Sequence, residues 1–396
     1  MSSGQKVKEY DMIFAVIVAL VIGVPINYYF FGGKGALDFA MTIVFVPKAL
    51  EAIIAIGIET EAELSGFRSA GHHWKSQWKQ LLMLLTLALG MRGLAIYLVG
   101  IYFGLTHALI VAAGLIATDP AAMGIALGLV KIKKLDSRSW LLTVESLLND
   151  VIALIAFQLA SGEDPLKIIW TVILTVVAAG LLALADTSVR WLIRIRFLRN
   201  HRYEAHIETA AVAAVYISFI LIGIRAELSL IGMAAMGAIL SNYVEDLLPH
   251  ERSHVIHKQR VHLMERWSQF GLGTVLFLVT LMLPLSELTE HPLILIISSA
   301  ILVAIFIVRS VYDFVGALRG KDKPHYRLRA RLLIGLISSF AANTLLGVPS
   351  VVAAELLHRG FAYEATVVFA TITMSWPIIL VSVILIWILE RDQKKK

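Results

Sequence analysis

The sequence predicts an all-α polytopic membrane protein with about twelve transmembrane helices. Three observations carry that prediction. Of the 396 residues, 58% are hydrophobic and 16% are charged, with a mean hydropathy of +0.78; soluble domains carry about 25% charged residues. Runs of 18 or more mostly apolar residues recur along the whole length, and such runs suffice to cross a bilayer core. The basic residues sort by side when the runs are counted as spans.

The apolar runs fall at 11–31, 37–58, 79–103, 106–130, 140–160, 166–187, 207–225, 228–243, 268–286, 292–317, 332–358 and 362–390. Met1 to Tyr10 is short and polar. The first run has no small-residue cleavage site after it, so it reads as a first span and not as a signal peptide. Lys6, Lys8, the even-numbered connections and the terminal Arg391, Lys394, Lys395 and Lys396 share one side. Lys34, Lys167, Arg225 and Arg359 fall on the other, and Lys48, Arg92 and Arg309 lie within spans. The positive-inside rule then places both termini in the cytoplasm of a cell-membrane protein. This placement accounts for the +6 net charge, and no nucleic-acid partner is implied. The chain has no cysteine, which excludes disulfides and thiolate metal sites.

Two polar clusters interrupt the spans. Thr118-Asp119-Pro120 breaks the fourth, and Glu145-Ser146-Leu147-Leu148-Asn149-Asp150 sits in the fifth. A carboxylate at mid-membrane costs about 2.5–3.5 kcal/mol even on the lenient insertion scale and usually marks an ion or proton path. The eleventh span is broken around Asn343, Gly347 and Pro349. Pro removes a backbone donor and Gly unwinds cheaply, so the fourth and eleventh spans can become paired half-helices. They run in opposite senses, which makes spans three to five and ten to twelve inverted repeats.

On a helix, Glu145 and Asn149 share one face, and Ser146 and Asp150 share the next. Ser146 and Asp150 can offer a hydroxyl and a carboxylate to one ion, with Asp119 and the Thr118 carbonyl completing an all-oxygen set. Such hard ligands suit an alkali cation. Desolvation disfavours the charged carboxylate, so the same group can hold either a proton or a cation. Competition of that kind is sufficient for exchange. Glu145 reads as the structural partner of Arg309, because an unpaired buried charge is costly. Asn149 reads as a site-shaping group. Arg92 pairs with a core carboxylate, caps a half-helix C-terminus, snorkels or satisfies local carbonyls. The histidines, including His72, His73, His250, His254, His257 and His262, read as solvated surface groups.

Thr-Asp-Pro followed some 25 residues later by Glu-Ser-Leu-Leu-Asn-Asp resembles the sodium/proton exchangers of the cation:proton antiporter-1 family. Phe45 to Glu51 and the Arg309 span are similar to further family segments. The resemblance implies the sodium/proton-antiporter fold, with inverted repeats and two crossing broken helices. It makes Asp150 the essential ion- and proton-binding carboxylate, with sodium at Asp119, Ser146 and Asp150, and Glu51 reaching the site through water. The Asn149-Asp150 pair implies electroneutral exchange of one sodium or lithium ion for one proton by alternating access. No cofactor is expected; the partners are membrane lipids and a second copy in a homodimer. The chain then divides into N-terminal interface helices (1–78), core repeat 1 (79–160), linker and interface helices (161–290), and core repeat 2 with a short basic C-terminus (291–396). The sequence departs from the family pattern in three places: the stretch Gly335 to Phe340 lacks an arginine, Val151 follows Asp150, and Lys48 precedes Glu51. Potassium/proton exchange and a non-transporting membrane sensor are the alternative readings. An intramembrane aspartyl protease is disfavoured, because there is no Gly-x-Gly-Asp element and the spans are too many.

Overall fold

A bilayer interior offers no water to the backbone, so spanning segments must satisfy their own N–H and C=O groups, as helices do. The computed structural model describes residues 18, 21–33, 52, 55, 78–79, 81–117, 136–196, 204–246, 277–278, 280–281, 285–319, 336, 339, 345 and 347–375, and holds no strand among them. Its helices are α1 (Val21–Phe31), α2 (Leu89–Tyr102), α3 (Ala108–Leu115), α4 (Asp136–Ala160), α5 (Pro165–Arg196), α6 (Glu204–Arg225), α7 (Leu230–Asp246), α8 (Ser286–Glu290), α9 (Leu293–Arg319), α10 (Gly347–His358) and α11 (362–375). A π-helical turn, Leu84–Ala88, runs directly into α2.

Among the described residues, four segments are by themselves long and apolar enough to cross a membrane: Leu81–Tyr102, Pro165–Ile193, Ile207–Arg225 and Leu293–Tyr312. On α5 the exposed side chains are almost all apolar, and Trp170 and Trp191 stand 63% and 54% exposed toward its two ends. At 1.5 Å per residue they are about 30 Å apart, which matches the two interfacial belts of a bilayer.

The ends of these helices follow local chemistry. Pro165 opens α5, where its missing N–H is no loss, and the Asp164 carboxylate accepts a hydrogen bond from Leu166 N at 3.0 Å. Helices α2, α4 and α10 close on Gly104, Gly162 and Gly360, all with positive φ. At each, a paired turn bond returns to the last helical carbonyls, as from Leu105 N to Gly100 O at 2.9 Å. Helix α6 closes the same way with Glu227 at φ 54, where no glycine is available.

Two packing groups result. Helix α2 packs on α3 and α9, and α3 and α4 pack on each other and on α10. Helix α5 packs on α6 and α7, and α4 touches both α5 and α7 to join the groups. Helix α1 docks against the segment leading to α8: Asn27 Nδ2 donates to Thr280 O at 2.7 Å, and Ser286 N donates to Gly33 O at 2.8 Å. Hydropathy ended the sixth span at residue 187, yet α5 continues to Arg196. Asp186 and Arg190, one turn apart, form a buried ion pair at 2.7 Å, and Ser241 of α7 donates to the other Asp186 oxygen. That bonding lets the helix carry charge past the apolar run. The second span, except Ala52 and Ala55, lies outside the described residues, as does most of the ninth.

Candidate functional site

The site is organised around α4. Its repeat of 3.6 residues puts Glu145 one turn before Asn149, and Glu145, Asn149 and Asp150 are 2%, 1% and 1% exposed. Ser146 lies within the same helix, but its side chain falls outside the described residues, as do Thr118, Asp119 and Glu51 entirely. Of the expected cation ligands, Asp150 alone has its side chain among the described residues.

Arg309 of α9 meets Glu145 end-on through its two terminal nitrogens. Its Nη2 donates to Glu145 Oε2 at 2.8 Å, and its Nη1 donates to Oε1. Both groups are at most 4% exposed. A bidentate fork of this kind matches guanidinium to carboxylate geometry and fixes both rotamers. It ties α9 to α4 one turn from Asp150.

Arg92 of α2 is also buried, at 4% exposed. Its Nε donates to Leu115 O at 3.2 Å and its Nη2 to Ala117 O at 3.1 Å. Leu115 is the last residue of α3 and Ala117 lies two residues beyond it, where carbonyls have no intrahelical donor. Of the sequence alternatives for Arg92, capping of the half-helix is what the structure holds. Arg92, Glu145, Asn149 and Arg309 line one small cavity with Leu89, Ile305 and Val308, with about 10 Å³ of internal space. That is roughly the room of one water.

The two half-helices meet here. A Cβ on Gly114 of α3 would stand 2.5 Å from Val352 Cγ1 of α10, so the Val352 side chain packs directly on the Gly114 backbone. Helix α10 begins at Gly347, with Pro349 in its first turn, where proline is tolerated. The break therefore precedes Pro349, and Asn343 lies outside the described residues. Just before α10, Leu345 N donates to Ser375 Oγ of α11 at 3.1 Å. Each break thus has a side chain from a neighbouring helix on its freed backbone: Arg92 for carbonyls, Ser375 for an N–H. No sequence signal pointed to Ser375 or to Gly114, since their roles arise from distant segments. The Asp186–Arg190 pair was readable from its i,i+4 spacing.

Among the described residues no group of three or more His, Asp or Glu side chains is arranged to hold a metal ion. Chemically, the arrangement is a buried carboxylate beside a charge-compensated helix crossing.

Comparison with known proteins follows this geometry. The family model described as sodium/hydrogen exchanger, transmembrane, matches residues 5–391. Among solved structures, the chain is similar to the sodium proton antiporter MjNhaP1 from Methanocaldococcus jannaschii at pH 8, with a TM-score of 0.62 and 15% identity. That likeness covers 96% of this chain and 98% of the other, and it bears on the fold. No curated protein matches.

Proposed function

Because the chain belongs to the sodium/hydrogen exchanger family, whose members are secondary cation/proton antiporters, we propose that it exchanges one sodium or lithium ion for one proton electroneutrally. The exchange site is Asp150 with Asp119, Ser146 and the Thr118 carbonyl, and it opens alternately to the two sides of the cell membrane. Both termini are cytoplasmic and the working unit is a homodimer. The protein is a multi-pass membrane transporter and not an enzyme.

The observation that supports this reading most is the burial of Asp150, 1% exposed on α4. The neighbouring carboxylate Glu145 is already committed to Arg309. Two carboxylates five residues apart thus have separate work. Glu145 compensates a charge, and Asp150 can alternate between proton and cation. Asn149, lining the cavity, shapes the site.

Proteoliposomes holding a preset pH gradient and a pH-sensitive dye test the proposal. Sodium or lithium should collapse the gradient, and Asp150→Asn should abolish that response in a protein that still purifies as folded. No response from the unaltered chain, or a full response from Asp150→Asn, would sink the proposal. Potassium in the same series separates potassium/proton exchange from the sodium reading. A sensor would show cation-dependent stabilisation without flux.

A further inference from the structure

We infer that Arg92 is a positioning residue of the cation site: by bridging the terminal carbonyls of α3 it fixes the backbone from which Thr118 and Asp119 follow. This rests on the exchange reading above and names a determinant of its cation affinity.

Three observations carry the inference. First, the bonds are specific. One guanidinium reaches two carbonyls, Leu115 O and Ala117 O, across the end of the half-helix. Ala117 is the residue immediately before Thr118. A planar fork with fixed donors can hold two carbonyls at once, and a lysine ammonium cannot match that geometry. Second, the charge is placed with purpose. The C-terminal end of a helix carries a partial negative charge, and carbonyls left there would compete as hard ligands for an alkali cation. Arg92 takes two of them out of competition. Third, Arg92 shares a cavity with Glu145, Asn149 and Arg309. The last carbonyls of α3 are therefore held from the same cluster that holds α4. The π-helical turn Leu84–Ala88 sits directly before α2, and such turns often accompany functional positions.

Among the described residues, charged groups of α9 and α4 face Arg92. From α9 there is Arg309, and from α4 there is Glu145, with Asp150 one residue beyond the cavity-lining Asn149. Helix α3 and the π-helical turn bring no charged side chain.

The test measures sodium-driven proton flux in proteoliposomes for the unaltered chain, Arg92→Lys, Arg92→Gln and the Asp150→Asn control. Arg92→Lys keeps the charge and loses the fork. It should raise the apparent sodium KM about tenfold, the scale of one charge-assisted hydrogen bond. Its Vmax should stay within about twofold. Arg92→Gln loses both the charge and the fork and should raise KM at least as much. Unchanged KM in both folded variants overturns the inference, as does a loss confined to Vmax. Failure of both variants to purify as folded protein also overturns it, since Arg92 would then hold the fold and not the site. If the unaltered chain shows no flux yet sodium raises its Tm, exchange fails alone. Arg92 is then judged by the sodium concentration giving half-maximal stabilisation in each variant. Absence of both flux and stabilisation sinks both readings.

Discussion

Glu145 and Asp150 are chemically near-identical groups on one helix, and their surroundings separate them. Glu145 lies in a two-bond fork with Arg309, with both side chains almost fully excluded from solvent. Such a pair is weak evidence for net stability, but breaking it strands a charge in the interior. Glu145→Ala should therefore cost about 3–5 kcal/mol, read as a lowered Tm in a detergent thermal scan. The double variant Glu145→Met with Arg309→Met removes both charges and should recover much of that loss. If Glu145→Ala melts like the unaltered chain, the pair is not structural. The pairing was legible in the sequence, because an intramembrane glutamate needs a partner and Arg309 was available. The bonds of Arg92 were not legible: several roles fitted one buried arginine, and its distances to Leu115 O and Ala117 O show the carbonyl contacts it makes.

Breaks in spans four and eleven were expected at Thr-Asp-Pro and in the Gly347 and Pro349 region, because these residues have distinct backbone costs. The crossing itself was not visible. It depends on Gly114 and Val352, more than two hundred residues apart, which pack with no room for a side chain on Gly114. Val352 is β-branched and stiff at χ1, so it cannot swing aside. Gly114→Ala should destabilise the protein by about 1–3 kcal/mol, as overpacking does. Adding Val352→Ala should relieve most of that, and the non-additivity of a double-mutant cycle is the measurement. Strictly additive losses would show that the two helices are not in contact. Sequence also could not find Ser375, whose hydroxyl serves the N–H of Leu345 thirty residues earlier.

Among the described residues, the helices fall into a group around α2, α3, α4, α9 and α10 and a second around α5, α6 and α7. The exposed apolar face of α5, with a tryptophan toward each end, orients that helix across the bilayer. The absence of cysteine makes orientation testable, since any introduced thiol is the sole one. Membrane-impermeant maleimide applied to intact cells should label Asp164→Cys. It should label Lys133→Cys or Lys395→Cys only after the membrane is opened. Labelling in the reverse pattern would refute the cytoplasmic termini and the alternation of connections built on them.

The sequence by itself determined that this is a multi-pass helical membrane protein, and its two polar clusters pointed to the sodium/proton exchangers. The physical reason is that apolar length, the siting of basic residues and the cost of buried carboxylates are local properties. Tertiary structure decided what depends on distance between remote segments: the fork between α4 and α9, the glycine contact between α3 and α10, and the arginine that caps the first half-helix. Hydropathy records which residues must leave water. It does not record which partner meets them once they have left.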